Sequence, residues 1–208
     1  MFPLSRLHYQ VKGEGFPILC LHGHPGSGQC MSVFTNYLCQ NFKTIAPDLR
    51  GYGKSYGKTN FEITQHLIDL ETLLEKLQIS RCLILGWSLG GIIGMELAIR
   101  NPEQVAGLIL IATAARPRSN HPPITWQDNL YTALAGVINY FVPGWQWNID
   151  TFGKRSLFKY LIQNHTCATY QYLAKEAVPA YLQTSRQATR ALNRALICLL
   201  YTSPSPRD

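Results

Sequence analysis

The chain has 208 residues, of which 46% are apolar and 15% are charged. Disordered chains combine few apolar residues with many charges, so this composition excludes disorder for most of the sequence and predicts a globular domain. The longest nearly unbroken apolar run, residues 105–115, is shorter than the ~20 residues that a membrane-spanning helix needs. Residues 1–8 carry no recognisable leader, and we therefore expect a cytoplasmic protein without a membrane-spanning segment.

The formal charge of +7 is unevenly distributed. Residues 1–104 carry 9 Lys and Arg against 8 Asp and Glu, whereas residues 105–208 carry 10 against 4. The basic residues are dispersed rather than clustered, which favours a solvated surface over a nucleic-acid interface. The six cysteines form no C-x-x-C pair, which predicts packed, reduced thiols and no metal site.

Residues 1–115 alternate short apolar runs with segments of helical periodicity. This alternation is typical of an α/β domain in which helices cover both faces of a mostly parallel sheet. The predicted strands are residues 7–11, 16–21, 43–47, 81–87 and 105–112. The predicted helices are residues 30–41, 61–77 and 88–100.

The alternation ends at residue 115. Residues 116–197 contain successive helical segments rich in aromatic side chains, and we interpret them as a helical cap inserted into the α/β domain. Pro122-Pro123, Pro143-Gly144 and Pro179 are expected to break these helices.

The hexapeptide Gly86-Trp87-Ser88-Leu89-Gly90-Gly91 matches the G-x-S-x-G pattern at the point where a predicted strand runs directly into a predicted helix. Such a tight turn leaves no space for side chains two residues before or after the serine, which accounts for Gly86 and Gly90. It holds Ser88 at the start of a helix, whose free N–H groups favour negative charge. We interpret Ser88 as a nucleophile and Trp87 as a residue that lines the pocket beside it.

Two further motifs follow predicted strands. His22-Gly23-His24-Pro25-Gly26 follows residues 16–21, and Asp48-Leu49-Arg50-Gly51-Tyr52-Gly53-Lys54-Ser55 follows residues 43–47. With the serine motif, they resemble the α/β-hydrolase family. The resemblance implies that Ser88 acts on an acyl carbonyl without cofactor or metal, and that the backbone N–H groups of His24 and Leu89 form the oxyanion hole.

In this family the histidines of the first loop hold that loop, so the resemblance implies that His22 and His24 are structural. It also implies an acid and a histidine base that follow the serine along the chain. Beyond Ser88 only His121 and His165 occur, both in the predicted cap. We therefore expect that acid and base are absent from this chain, that the last two strands of the fold are missing, and that the chain as it stands is inactive.

Residues 198–208 carry two prolines and no periodicity, which predicts disorder. They look like a translated sequencing-adapter remnant of the kind found at the ends of truncated reading frames. We therefore interpret them as non-native and expect the native sequence to stop near Ile197.

The expected function is a carboxylic ester hydrolase that forms an acyl-enzyme on Ser88. Aromatic residues of the predicted cap would either bind an apolar acyl group or simply pack the cap onto the sheet. They are Trp126, Tyr131, Tyr140, Phe141, Trp145 and Trp147. The hexapeptide is similar to that of pimeloyl-acyl-carrier-protein methyl ester esterases, which makes an acyl carrier protein a candidate partner of the basic cap.

Other functions stay open at this point. The fold implied by the resemblance also carries peptidases, carbon–carbon bond hydrolases, cofactor-free peroxidases and non-catalytic binding proteins. A phosphate-binding loop is a weaker alternative, because Gln29 and Cys30 stand where the lysine and hydroxyl of a G-x-x-x-x-G-K-[ST] motif are needed.

Overall fold

The computed structural model describes residues 7–57, 59–113, 125–160, 162 and 164–202, with side chains described up to residue 195. The chain forms two compact units. We call residues 1–117 together with 183–208 the sheet unit, and residues 118–182 the helical unit. The sequence analysis assigned residues 183–197 to the cap, whereas contacts place this segment in the sheet unit.

The part of the sheet unit that the structure describes contains a five-stranded sheet in the order β1-β3-β2-β4-β5. Its strands are β1 (Tyr9–Lys12), β2 (Pro17–Leu21), β3 (Lys43–Pro47), β4 (Cys82–Trp87) and β5 (Val105–Ile111). Only β1 runs antiparallel to its neighbour β3, and the other pairs are parallel. The predicted α/β fold with a mostly parallel sheet is confirmed.

The described residues of this unit form four α-helices: α1 (Ser32–Leu38), α2 (Gln65–Lys76), α3 (Leu89–Arg100) and α8 (Arg186–Thr202). A 3₁₀ turn over Gly28–Met31 precedes α1, so the helix predicted from residue 30 is shorter than expected. Helix α2 also starts later than predicted, because the amides of residues 65–67 each bond to the carbonyl three residues earlier, in a tighter turn.

Strand side chains alternate between two apolar clusters, one on each face of the sheet. The larger cluster joins strand residues such as Leu19 and Ile84 to side chains of α2, α3 and α8. The smaller cluster joins Ile18, Cys20 and Leu85 to side chains of α1 and of the 3₁₀ turn before it.

Helix α8 belongs to the sheet unit because its small residues are buried in the larger cluster. Ala188 and Ala191 are almost fully buried there, with Leu192 packed against them. This burial agrees with the assignment of residues 183–197 to the sheet unit, which corrects their interpretation as part of the cap.

Strand β5 lies at one edge of the described sheet and pairs only with β4. Its residues Leu108, Ile109 and Leu110 are 38–43% exposed, although they form an apolar run. An apolar edge strand with a free row of backbone groups favours pairing with further chain or aggregation.

The helical unit contains α4 (Trp126–Phe141), α5 (Gln146–Thr151), α6 (Cys167–Tyr172) and α7 (Val178–Leu182). Pro143-Gly144 separates α4 from α5 as predicted, and Pro122-Pro123 lies outside the described residues. The predicted break at Pro179 is wrong, since α6 continues through a π-helical turn at Leu173–Ala177 into α7. The π turn shifts the backbone bonding at the point where proline lacks its N–H.

The expected disorder of residues 198–208 is corrected in part. Helix α8 continues to Thr202, because no proline occurs before Pro204 to stop it, and residues 203–208 lie outside the described part of the chain. None of the described helices combines the length and apolar character that crossing a membrane requires. A cytoplasmic location stays a prediction.

Two of the cysteines are packed in strands of the sheet. Cys20 and Cys82 are fully buried, and burial raises the pKa of the Cys20 thiol to about 12 and that of Cys82 to about 11. Both thiols are therefore protonated at neutral pH. Cys167 is exposed, so the prediction of packed thiols is wrong for this residue.

Candidate active site

Ser88 lies between the last residue of β4 and the first residue of α3. Its backbone has a conformation that residues other than glycine rarely adopt. Its φ is 52° and its ψ is −114°. The Ser88 N–H donates to the carbonyl of Ile111 at 2.9 Å, and its carbonyl accepts from the Gly91 N–H at 3.0 Å. Strain of this kind costs about 1–3 kcal/mol and persists only where the surroundings hold it. The two bonds connect Ser88 to both β5 and α3.

Glycines around Ser88 leave no room for a Cβ atom. A Cβ on Gly86 would lie 2.5 Å from the Cα of Gly91, and one on Gly90 would overlap the backbone carbonyl of Leu21. This agrees with the steric reason for which both glycines were singled out. The sequence analysis gave no role to Gly91 or Thr113, although a Cβ on Gly91 would overlap the Thr113 hydroxyl. Gly91, the third glycine of the hexapeptide, was the sequence feature that could have indicated this close approach.

The loop after β2 passes directly beside Ser88. A Cβ on Gly23 would lie 3.1 Å from the Cβ of Ser88 and 3.8 Å from its hydroxyl oxygen. The N–H of Leu89 has no acceptor within α3, because Leu89 is the first residue of that helix. No described residue accepts a hydrogen bond from the N–H of His24. Leu89 directly follows Ser88, and His24 follows Gly23 on the loop that passes beside Ser88, so the oxyanion-hole role of both residues stays a prediction.

Asp48 holds this loop to the loop that follows β3. Its Oδ1 accepts from the Gly28 N–H at 2.7 Å, and its Oδ2 accepts from the Lys54 N–H at 2.8 Å. The Nδ1 of His8 lies 3.0 Å from the same Oδ2. One buried carboxylate thus connects the residue before β1 with both loops, which agrees with a structural role for Asp48.

His22 is fully buried and uses both ring nitrogens within these loops. Its Nε2 accepts from the Leu49 N–H at 3.0 Å, and its Nδ1 lies 2.8 Å from the carbonyl of Gly23. Burial lowers the pKa of His22 to about 4, so the ring is neutral at pH 7. Neither nitrogen is available to accept a proton from Ser88, in agreement with the structural role expected for His22.

His24 is bound through its side chain to Tyr52. The Nδ1 of His24 lies 2.9 Å from the Tyr52 hydroxyl, and the two rings meet edge to face. Burial lowers the pKa of His24 and raises that of Tyr52, so both groups are uncharged at neutral pH. The third contact between the two loops thus reaches the residue whose N–H is an expected oxyanion donor.

Arg50 binds to α2 rather than pointing freely outward. Its guanidinium makes a two-point ion pair with the carboxylate of Asp69, which is buried. Bidentate pairs of this kind fix orientation as well as charge. The pair attaches the loop after β3 to the helix beneath it.

Trp87 packs on the face of the sheet that α1 covers. Its ring meets that of Phe34 edge to face, with centroids 6.2 Å apart, and it joins the smaller apolar cluster. The role of Trp87 as a pocket residue stays a prediction.

No described residue forms a hydrogen bond with the Ser88 hydroxyl. His8, His22, His24 and His66 are the described histidines of the sheet unit. In the helical unit, His165 bonds to the Tyr170 hydroxyl at 2.8 Å. His121 lies outside the described residues, and the absence of acid and base from this chain stays a prediction.

Two acidic residues of the helical unit, Asp128 and Asp150, bind side chains of the same unit. Asp128 is buried and accepts from the backbone N–H of Thr125, from the Tyr160 hydroxyl and from the Lys159 ammonium group. These bonds hold the pKa of Asp128 far below its usual range. Asp150 pairs with Lys154 on the helical unit.

Residues 17–141 match the family model described as alpha/beta hydrolase fold. The match covers more than half of the chain. This chain belongs to the α/β-hydrolase family. Its membership agrees with the order of the strands and with the strand-to-helix turn that contains Ser88.

Curated relatives extend beyond this chain. It is 34% identical over 110 residues to the uncharacterized hydrolase YraK of Bacillus subtilis, covering 51% of this chain and 41% of that protein. It is 26% identical over 149 residues to a pimeloyl-[acyl-carrier protein] methyl ester esterase of Vibrio atlanticus, covering 70% of this chain and 55% of that protein. The chain thus spans about half the length of these relatives.

A solved esterase from Exiguobacterium antarcticum has a similar fold. The TM-score is 0.62 at 22% sequence identity, and the match covers 91% of this chain and 68% of the esterase. At this identity the similarity establishes the fold of the chain.

His66 is the buried titratable group that the site leaves without a partner. It is 1% exposed, and its Nδ1 has no hydrogen-bond partner among the described residues. Burial, and then the nearby His22 and Arg50, lower the pKa of His66 to about 3. In the unfolded chain a histidine titrates near 6.5, so between pH 6.5 and 3 the unfolded state binds more protons. His66 therefore makes the fold less stable as the pH falls through this window.

We predict that His66→Leu weakens this pH dependence. Between pH 7 and pH 5, the variant should lose about 2 kcal/mol less of its free energy of unfolding than the parent, as 1.4 kcal/mol per pH unit implies. Urea denaturation at both pH values measures the difference. Ile68→Leu on the same helix removes no titratable group and serves as the control. If the free energy of unfolding depended equally on pH in the parent and in His66→Leu, His66 would not be the source of this pH dependence.

Proposed function

We propose that this protein is a serine esterase in which Ser88 is the nucleophile. The observation that carries the proposal is the strained turn at Ser88, with φ of 52° between β4 and α3. Turns of this type present a serine hydroxyl at the edge of the sheet, next to the positive end of a helix. A serine with only a structural role would not require glycines at 86, 90 and 91 to accommodate such a backbone.

The chemistry follows from the two N–H groups beside the serine. The Ser88 hydroxyl oxygen adds to the ester carbonyl carbon, and the resulting oxyanion accepts hydrogen bonds from the Leu89 and His24 N–H groups. The carbonyl re-forms as the alcohol leaves with a proton, which produces an acyl-enzyme. Water then adds to the acyl carbon and releases the acid and the free serine. No step requires a cofactor or metal.

Proton transfer to and from Ser88 requires a base, and an acid must orient that base. Among the described histidines of the sheet unit, His8, His22 and His24 form hydrogen bonds with other residues, and His66 is buried away from solvent. We propose that acid and base follow this chain in a longer protein, together with strands that would pair with β5. The exposed Leu108, Ile109 and Leu110 of β5 support further pairing at this edge.

For the domains, we propose that residues 1–115 carry the reaction and that the helical unit serves as a cap for the substrate. Several of its aromatic side chains are exposed. Trp126, Tyr140 and Phe141 are 72%, 68% and 75% exposed, and Trp145 and Trp147 are about half exposed. Such surface favours an apolar acyl group, since burying apolar area contributes about 25 cal/mol per Å².

The relative that is a pimeloyl-[acyl-carrier protein] methyl ester esterase suggests a carrier-bound ester as one substrate form. An acyl carrier protein is the candidate partner for this form, because the second half of the chain carries 10 basic residues against 4 acidic ones. Electrostatic complementarity of this kind would mainly accelerate encounter with an acidic partner.

We predict that Ser88→Ala abolishes ester hydrolysis by the longest natural form of the protein. Loss of the nucleophile removes the acyl-enzyme route and lowers kcat by about 10⁵–10⁶, leaving only what the oxyanion hole and binding provide. Hydrolysis of nitrophenyl acetate measures it, with Ser5→Ala as the control outside the motif. Full activity in Ser88→Ala would assign the reaction to another residue.

We predict a preference for longer acyl chains. Each added CH₂ that enters an apolar pocket stabilises binding by up to about 0.8 kcal/mol, so kcat/KM should rise severalfold per two carbons from acetate onward. A series of nitrophenyl esters from acetate to decanoate tests this on the same protein. A flat series would remove the apolar pocket from the proposal.

We predict that the 208-residue chain on its own is labelled slowly by a fluorophosphonate. Without a base, Ser88 keeps the weak nucleophilicity of an ordinary hydroxyl, and labelling should be slower than in an intact serine esterase by about 10³ or more. Gel fluorescence over time measures it. Rapid labelling that His121→Ala or His165→Ala abolishes would show that the base lies within this chain.

A further inference from the structure

Three hydrogen bonds join the loop that follows β3 to the loop that follows β2, and each of them holds a different residue. Asp48 accepts from the Gly28 N–H at the far end of the loop after β2. The Leu49 N–H donates to the ring of His22 at the start of that same loop. The contact between Tyr52 and His24 is the one that reaches an expected oxyanion donor directly.

We infer that Tyr52 is a positioning residue, whose ring and hydroxyl fix the side chain of His24 and thereby aim the His24 backbone N–H at the oxyanion formed on Ser88. The inference rests on the proposed esterase function. Tyr52 touches no reacting atom in this account and acts only through His24.

Tyr52 is suited to this role because it is itself immobile. Its side chain is fully buried, and its ring stands edge to face against His22, with centroids 5.1 Å apart. The ring of His66 lies against it at 6.3 Å. With the ring clamped between elements of the core, the position of the hydroxyl is set by packing, and a residue bonded to that hydroxyl inherits the position.

The hydrogen bond also persists across the neutral pH range. Burial raises the pKa of Tyr52, which keeps its O–H, and lowers the pKa of His24, which keeps its imidazole neutral. His24 is only partly buried and precedes Pro25, which is exposed. Without the bond to Tyr52, the described residues offer the His24 ring no other hydrogen-bonding partner.

The position of His24 matters because oxyanion donors act over a narrow range. They must lie 2.7–3.1 Å from the oxyanion, and complete loss of one donor costs about 10²–10³ in kcat. A donor that is present but loosely held should cost less than a donor that is removed. We therefore expect about a tenfold effect when the hydroxyl is lost but the ring remains.

The first test is Tyr52→Phe in the longest natural form of the protein, with Tyr56→Phe as control. Tyr56 lies four residues on and is 54% exposed. For nitrophenyl acetate, Tyr52→Phe should lower kcat about tenfold with KM nearly unchanged, and should weaken inhibition by a trifluoromethyl ketone, which forms an oxyanion on the serine, by a similar factor. Inhibition by the alcohol product, which forms none, should not change.

A double-mutant cycle separates positioning from general stability. His24→Leu removes the partner of the Tyr52 hydroxyl, so adding Tyr52→Phe to it should lower kcat little further. His24→Asn retains a group near Nδ1 that can bond to Tyr52 and should recover much of the activity lost in His24→Leu. Additive losses in kcat, or equal weakening of both inhibitors, would overturn the inference in favour of a merely structural role.

A third test requires no enzymatic activity and uses the 208-residue chain. Tyr52→Phe should shift the backbone amide resonance of His24 in a ¹⁵N–¹H spectrum, whereas Tyr56→Phe should leave it in place. An unmoved His24 resonance in folded Tyr52→Phe overturns the inference. If the parent hydrolyses no ester but the resonance moves, the proposed function fails while the coupling of Tyr52 to His24 stands. If the parent is active and Tyr52→Phe matches it in kcat, the inference fails alone.

Discussion

The backbone of Ser88 is the constraint on which the surrounding structure depends. A serine with φ of 52° and ψ of −114° is unfavourable for any side-chain-bearing residue, and the chain adopts it only because both sides are fixed. On one side, β4 is paired in register with β2 and β5 up to Gly86 and Trp87. On the other, α3 starts at once and packs its buried leucine and isoleucine side chains into the larger cluster.

The same constraint explains the small residues around the serine. The turn brings α3 so close to β4, to the end of β2 and to Thr113 beyond β5 that side chains at Gly86, Gly90 and Gly91 would overlap neighbouring atoms. Gly23 on the next loop comes within contact of Ser88 for the same reason. Residues that lack a Cβ therefore occur on two segments far apart in sequence, because one crowded point in space links them.

The strands of a mostly parallel sheet and the serine turn could be predicted from the sequence because they depend on local patterns, whereas the order of the strands in the sheet was not predicted. Apolar runs of five to seven residues separated by helical periodicity define β2 to β5 within one or two residues. The glycines of the hexapeptide at 86–91 indicate by themselves a turn without space for side chains. The role of Thr113 could not be predicted, since its contact with Gly91 joins residues that no sequence pattern relates.

The helical segments were harder to assign. Residues 183–197 have a helical pattern that fits either unit, and only the burial of Ala188 and Ala191 in the larger cluster decides where α8 belongs. The predicted helix break at Pro179 is wrong because the rule that proline ends helices assumes α-helical hydrogen bonding. The π turn at Leu173–Ala177 changes that bonding. The contact between Tyr52 and His24 likewise joins two motifs that the sequence shows only as separate strings.

The charge state of the loops beneath Ser88 gives these contacts a common consequence. Burial lowers the pKa of His22, His24 and His66, so at neutral pH three imidazoles crowd around Tyr52 without a positive charge among them. A protonated imidazole at this place would attract an anion to the loop as a whole, whereas neutral rings leave the attraction to the directed N–H groups and to the N-terminus of α3. In the proposed reaction, the aim of the His24 and Leu89 N–H groups would then largely decide how well a negative charge on the substrate oxygen is stabilised, because the nearby imidazoles carry no charge. Packing that fixes the loop after β2 is therefore part of the electrostatics of the site.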